Sequence, residues 1–367
     1  MTRGLLTEGP TALLTGQAMP QAWAMSQPGA GDSAQPGLPG HLPGQAITGE
    51  LPEQVITSVL AAAVAAPSMH NTQPWRFQVL RPEQIIEVRA DPARGLPQGD
   101  PHGRAVHIAC GAALFNMRLA AAVAGREPVV KLLPDHGQPL LLATMHLAGP
   151  YRPRDAEREL HEAITRRHTN RRPFSGHPVP PGVRAELAEA ARLEGAILHF
   201  PGREEVLRLL ELVQDCERDL AADPAYRAEL AQWAGGARDR EGIPDSALGP
   251  RSPDGPTPVR DFTPGRRGQH DYEWFEETPQ LAVLSVSYGG PADWLRAGQA
   301  LQRVLLTATS RGISASPLTQ PLETADAWLV RDPRSAIEQP QMILRMGYGL
   351  PVPATPRRPV ADVLEDH

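Results

Sequence analysis

"APSMHNTQPWRF", residues 66–77, is the stretch on which the reading of this 367-residue chain turns. The residues before it, "ELPEQVITSVLAAAVA" (50–65), set Val55, Ile56, Val59, Leu60 and Val64 along one helical stripe, with Pro52 suited to the first turn. Pro67 stops that helix. Ser68, Asn71, Thr72 and Gln73 then place short hydrogen-bonding groups on one compact turn, Pro74 fixes the exit, and "WRFQVL" (75–80) opens a strand. Such a turn can present amides and hydroxyls to a flat heterocycle. It can equally satisfy itself as an Asx/Pro turn. The residues alone leave both open.

Working outward, strands are predicted at 84–90, 128–133, 140–148, 195–200, 279–287 and 340–349. Helices are predicted at 102–124, 155–167, 181–192, 203–220 and 291–310. Residues 1–48, rich in Gly, Pro, Gln and Ala, read as a disordered extension, and Met25 is a possible alternative start. Residues 235–270 are Gly/Pro/Arg/Asp-rich without a period, an insertion whose length suggests function or disorder. The two long helices are alike. "GAALFNMRLAAAVAG" (111–125) and "GQALQRVLLTATSRG" (298–312) share glycine at both ends and Ala or Leu at matching positions, such as Leu114/Leu301 and Ala121/Ala308. Gly125 and Gly312 suit C-caps, and each helix precedes an apolar strand. The expected fold is α+β, with two related halves at 49–152 and 153–367.

Composition narrows the function. A net charge of −6 argues against a general nucleic-acid binder but leaves room for a local arginine pocket, Lys131 being the only lysine. Cys110 lies on an apolar helical face and reads as a buried thiol; one disulfide with Cys216 is possible, but nothing in the sequence calls for it. No apolar run is long enough for a membrane span. Ala22-Trp23-Ala24 has the form of a signal-peptidase site, but no apolar stretch precedes it, so a cytoplasmic protein is expected. No GxGxxG follows a strand, and no P-loop, GxSxG, CxxC or HExxH occurs. No metal is expected. His70, His168 and His177 fall near the turn or the arginine-rich loop, where a lone histidine is usually only solvated.

Four segments in order resemble the FMN-dependent nitroreductase family: the opening turn, "RRHTNRRPFSGHPVP" (166–180), "SASPLTQPLE" (314–323) and "TPRRPV" (355–360). Their order, over roughly the whole chain after the extension, is similar to the long fused branch typified by mycobacterial Acg proteins. The resemblance implies a family homodimer joined into one chain. It implies FMN as cofactor, NAD(P)H as transient donor, and ping-pong reduction of a small nitroaromatic, quinone or similar electrophile. Ser68, Asn71 and Gln73 would face the flavin ring. Arg166, Arg167, Thr169 and Arg171 would clamp the phosphate, joined by Arg357 and Arg358. The run is one residue longer than the family's usual pattern, which leaves Arg171 or Arg172 facing the phosphate. Ser316, Pro317, Leu318, Thr319 and Gln320 would lie near the flavin N5 edge, where the chemistry occurs without a catalytic side chain.

The resemblance also accounts for the single copy of the turn. The second half reads "AARLEGAILHF" where its own turn would fall, and the first half lacks the arginine pair. The missing parts are complementary, so one composite FMN site per chain and a monomer with an internal pseudo-dimer are expected. The alternative is a non-catalytic FMN sequestration or storage protein, with 235–270 as a lid and Phe262 as its plug.

Overall fold

Two long helices, α2 (Arg104–Val123) and α7 (Pro291–Ser310), cross at the centre of the protein. In this computed structural model, residues 52–253, 258–262, 271–324, 330 and 338–365 are described. The N-terminal extension lies outside them, as do 254–257 and 263–270 of the insertion.

The crossing is made backbone to backbone. A Cβ on Gly111 would stand 2.2 Å from the Leu295 carbonyl oxygen, and one on Gly298 would stand 2.1 Å from that of Ile108. At the spacing that pairs Gly111 with Gly298, Ile108 pairs with Leu295, so the two clashes are the same contact seen from each side. The exchange continues into the cores. Leu295 of α7 packs in the first half's apolar cluster and Ile108 of α2 in the second's. Gln302 donates to Asn116 across the crossing at 2.8 Å, and Asn116 donates to the Ala62 carbonyl at 2.8 Å. Both long helices end with glycine in the left-handed region, Gly125 at φ 79° and Gly312 at φ 73°. Helix α2 has the length and apolar composition of a membrane span, but its surface is covered by the rest of the protein.

Each half wraps a sheet around this pair. The first has α1 (Glu53–Val64), β1 (Trp75–Leu80), β2 (Ile85–Ala90), β3 (Arg126–Leu132) and β4 (Leu141–Pro150). The second has α3 (Asp155–Ala163), α4 (Pro181–Arg192), β5 (Ile197–His199), β6 (Gln280–Val286), β7 (Ser314–Pro317) and β8 (Gln339–Gly347). The sheets run β3-β4-β2-β1 and β7-β8-β6-β5, the same order with corresponding strands in corresponding places. The connection from α1 to β1 is residues 65–74, whereas α4 reaches β5 through 193–196 alone. The second half therefore has no counterpart of the turn.

Three elements were not foreseen. β7 is short and carries Pro317, so it reads as loop. Helix α6 (Pro224–Trp233) follows α5 (Arg203–Ala222) without the clear apolar stripe a surface helix needs for recognition. The tail returns to the first half, where β9 (Leu364–Glu365) pairs in parallel with β1 and the Phe77 N–H donates to the Val363 carbonyl at 2.8 Å. Helix α3 stops four residues earlier than predicted, and the residues it releases form the arginine-rich loop. Helix α5 covers the outer face of the second sheet, so β6 is buried on both sides, which explains its apolar run from Leu281 to Leu284. Cys110 and Cys216 are both buried, and no disulfide joins them.

The crossing makes a direct prediction. Gly298→Ala and Gly111→Ala should each lower the unfolding free energy by about 2 kcal/mol or more, because backbone cannot yield to a new methyl. Gly182→Ala in α4, where a Cβ meets nothing within 4 Å, should be neutral or stabilising in the same urea titration.

Candidate functional site

Pro67 ends α1, and the chain then takes a turn that ordinary residues resist. His70, Asn71 and Gln73 all adopt left-handed backbone, at φ 49°, 57° and 52°. Such a conformation costs about 1 kcal/mol per non-glycine residue, so the surroundings must hold it. The Ser68 hydroxyl accepts from the Gln73 N–H at 2.9 Å. Asn71 donates to the carbonyls of Gly242 (2.9 Å) and Pro356 (3.0 Å) and accepts from Arg357 (3.0 Å). Gln73 donates to the Arg240 carbonyl at 2.8 Å and accepts from the Arg358 N–H at 2.8 Å. The turn is thus the knot that ties the 240–242 segment and the tail to the first half.

Beside the turn opens a cavity enclosing about 1080 Å³ of atom-free space, its mouth included. Ser68, Met69 and His70 line it from the turn, and Arg104 and Ile108 from α2. Arg167, Thr169 and Arg171 line it from the arginine-rich loop, and Leu301 and Leu305 from α7. Ser316, Pro317 and Thr319 close a further side, with Arg260 and Phe262 from the insertion. Thr169 bridges to Ala315 of β7, which fixes the loop against the second sheet.

Several residues expected at the site do not line the cavity. Asn71 and Gln73 are buried and have their polar groups engaged as just described. Arg166 is exposed and donates to the Glu162 carbonyl. Leu318 is a core residue against β6 and β8, and Gln320 is buried beneath the strand end. Arg357 is half-buried and also outside the lining, held by Asn71 and Thr355 behind Arg167, and Arg358 reaches away, donating to the Asp362 carbonyl at 2.6 Å and standing 3.9 Å from Asp91. Between Arg171 and Arg172 the geometry distinguishes clearly. Arg171 lines the cavity, while Arg172 pairs with Glu273 and its carbonyl accepts from Arg345. His177 is exposed and outside the cavity, whereas His168 lines it.

The arginines fall into two kinds. Arg345 is fully buried, paired with Glu276 at 2.6 Å and stacked 3.9 Å from the Phe174 ring centroid. Arg260 is buried against Glu323 at 2.5 Å. These are structural cations with their carboxylates supplied. Arg167, Arg171 and Arg357 differ: among the described residues, none has a carboxylate partner. Arg167 and Arg357 converge on one atom, the Ala65 carbonyl oxygen, at 3.4 and 3.5 Å, and the Nε of each has no partner. Arg171 donates to the Ala247 carbonyl at 2.8 Å and lies 4.7 Å from the Phe262 ring centroid. Burial, with Arg357 beside it, pulls Arg167 down to about 9, and burial with Arg260 pulls Arg171 to about 10. Burial alone takes Arg357 to about 10. All three remain cations at neutral pH, under stress that an anion would relieve. Burial, then Arg260 and Arg171, hold His70 well below its usual range, so it is a neutral imidazole set edge-on to Phe262.

The residues present fit a phosphate-bearing, flat cofactor. Two buried guanidiniums with orphaned N–H groups suit a dianion, and the α7 and β8 side chains Leu301, Leu305, Met342 and Leu344 give an apolar wall. Sequence reasoning missed Arg104 and Arg260, which carry no motif. Helix α7 itself was legible, but not that part of it faces a cavity.

Removing an uncompensated buried charge should help the ligand-free protein. Arg167→Met is expected to leave its melting temperature unchanged or raised. It should weaken stabilisation by inorganic phosphate roughly ten-fold or more, read as thermal shift against phosphate concentration.

The sequence model of the Nitroreductase family matches residues 48–102 and 164–348. The protein named "Putative NAD(P)H nitroreductase Rv3131" of Mycobacterium tuberculosis H37Rv is 35% identical over 320 residues, covering 85% of this chain and 91% of its own. "Putative NAD(P)H nitroreductase acg" of the same strain is 32% identical, covering 84% and 95%. Among solved structures, a nitroreductase with bound FMN from Desulfitobacterium hafniense is 16% identical, covers 57% of this chain and 98% of its own, and has a TM-score of 0.33. The NADPH:FMN oxidoreductase of Vibrio harveyi complexed with NAD+ is 13% identical, covers 57% and 76%, and has a TM-score of 0.34. With the family model matching well over half of the chain and relatives above 30% identity along most of it, the protein belongs to the nitroreductase family.

Proposed function

We propose that the protein is an FMN-dependent NAD(P)H oxidoreductase with one cofactor site per chain. The observation that carries this reading is the pair Arg167 and Arg357, which converge on the Ala65 carbonyl with the Nε of each buried and unpartnered and which have no carboxylate partner among the described residues. With Thr169 nearby, they would hold the phosphate. Arg171, Ser68 and the backbone of Met69–His70 would bound the ring on one side, and Ile108, Leu301 and Leu305 on the other. FMN supplies the hydride chemistry when bound, passing two electrons from NAD(P)H to a nitroaromatic, quinone or similar electrophile in ping-pong order. The chain's residues bind, orient and exclude water, and no side chain is assigned a proton-transfer role. Asn71, Gln73 and Arg358 act at one remove, by fixing the turn and the tail that carry Ser68 and Arg357. A cytoplasmic, monomeric protein acting on a small-molecule acceptor belongs to the same reading, since one chain supplies both halves.

One observation favours a second reading, FMN sequestration or storage. Phe262 is buried, lines the cavity and stacks on Arg171, so the insertion reaches over the site as a lid would. Anaerobic stopped-flow mixing of the FMN-loaded protein with NADPH separates the two. Flavin bleaching within seconds supports the oxidoreductase. No bleaching in the native protein, with bleaching in Phe262→Ala, supports the closed store.

Stoichiometry tests the composite site. Titration should saturate at one FMN per chain, and Arg171→Ala should weaken binding by roughly ten-fold or more. Two FMN per chain would show that both halves kept a site. Light scattering should return the mass of one chain.

A further inference from the structure

The cavity contains more positive charge than one phosphate explains. Arg104, Arg167, Arg171 and Arg260 all line it, and among the described residues no Asp or Glu does. The carboxylates that balance the far end, Glu323, Glu217 and Asp100, are absent from that lining. Glu323 pairs with Arg260, Glu217 accepts from the Asp261 N–H, and Asp100 accepts from the Val106 N–H. Glu323 neutralises Arg260, whereas Arg104, Arg167 and Arg171 have no ion-pair partner among the described residues, so the lining carries a net positive charge.

Arg104 stands apart within this set. It is the first residue of α2, half-buried, and belongs to no phosphate-binding motif. Its Nη1 donates to the Gln341 carbonyl at 2.8 Å and its Nη2 approaches the Leu322 carbonyl at 3.4 Å. Backbone carbonyls hold it in place, and no ion pair occupies it among the described residues. It is separate from the clamp too, for its charged neighbours are Asp100 and Glu323 rather than Arg167 or Arg357. A fixed guanidinium at the wall of an apolar cavity, away from the phosphate, is a recognition group for a second anion.

Resting on the FMN reading above, we propose that the pocket selects anionic aromatic acceptors, with a carboxylate or phenolate substituent, over neutral isosteres, and that Arg104 is the selecting residue. The test uses 4-nitrobenzoate and its neutral counterpart 4-nitrobenzamide, titrated into the FMN-saturated protein and followed by perturbation of the flavin spectrum. At low ionic strength the benzoate should bind about ten-fold tighter or more, and added salt should narrow the gap. Arg104→Gln should remove most of the gap while leaving FMN affinity unchanged, and Arg104→Lys should retain much of it. Equal affinities in the native protein, or a gap that survives Arg104→Gln, would overturn the proposal and leave the oxidoreductase reading intact. Failure to load FMN at all appears in the absorbance before any titration and counts against that reading instead. The same pair of ligands, read by thermal shift with inorganic phosphate saturating the clamp, then still decides whether the pocket discriminates by charge.

Discussion

The close approach of α2 and α7 at Gly111 and Gly298 is the constraint on which the rest depends. Only two residues without side chains allow carbonyl oxygens of one helix to sit where the other's Cβ atoms would be. That proximity lets Leu295 and Ile108 each enter the opposite half's core. It also sets the distance between the turn after α1 and the arginine-rich loop after α3. The cavity is the space left between those two segments, roofed by the insertion. Moving the helices apart by one methyl would disturb packing and site together.

Two halves of one chain need not be equal, as the subunits of a symmetric dimer must be. Corresponding strands keep the same order in both sheets, so the architecture of a pair persists. The chemistry does not. Residues 65–74 form an elaborate, strained turn, and their counterpart has shrunk to the tight link 193–196. Near that link, Arg118 and Arg303 pair with Glu194 at 2.6 and 2.9 Å. Leu305, which lines the cavity, stands in α7 where Arg118 stands in α2 under the pairing that matches the glycines. At equivalent positions one half shows an apolar wall and the other a salt bridge.

The sequence was most legible where a period and a stop signal coincide. Helix α4 and α7 have the predicted bounds, Pro181 and Pro291 opening them, and the glycine C-caps of α2 and α7 have the expected left-handed backbone. It was least legible where direction matters more than residue type. Asn71 and Gln73 are polar because they must hydrogen-bond, but their partners lie far along the chain, in segments no local pattern connects to them. Arg166 and Arg167 are adjacent and alike; the turn at the end of α3 exposes one and buries the other. Arg104 has no motif at all, and only the packing of α2 against the second half shows where it sits.

The tail adds a consequence for biogenesis. Arg357 meets Asn71 across 286 residues, and β9 covers the free edge of β1 from equally far along the chain. At a synthesis rate of about 5–20 residues per second, the first half waits on the order of tens of seconds for its last strand. During that interval it exposes an unpaired strand edge beside an apolar core, the kind of surface on which nascent chains associate. The distance that lets one chain complete a shared site also leaves the edge of β1 uncovered during synthesis until that strand arrives.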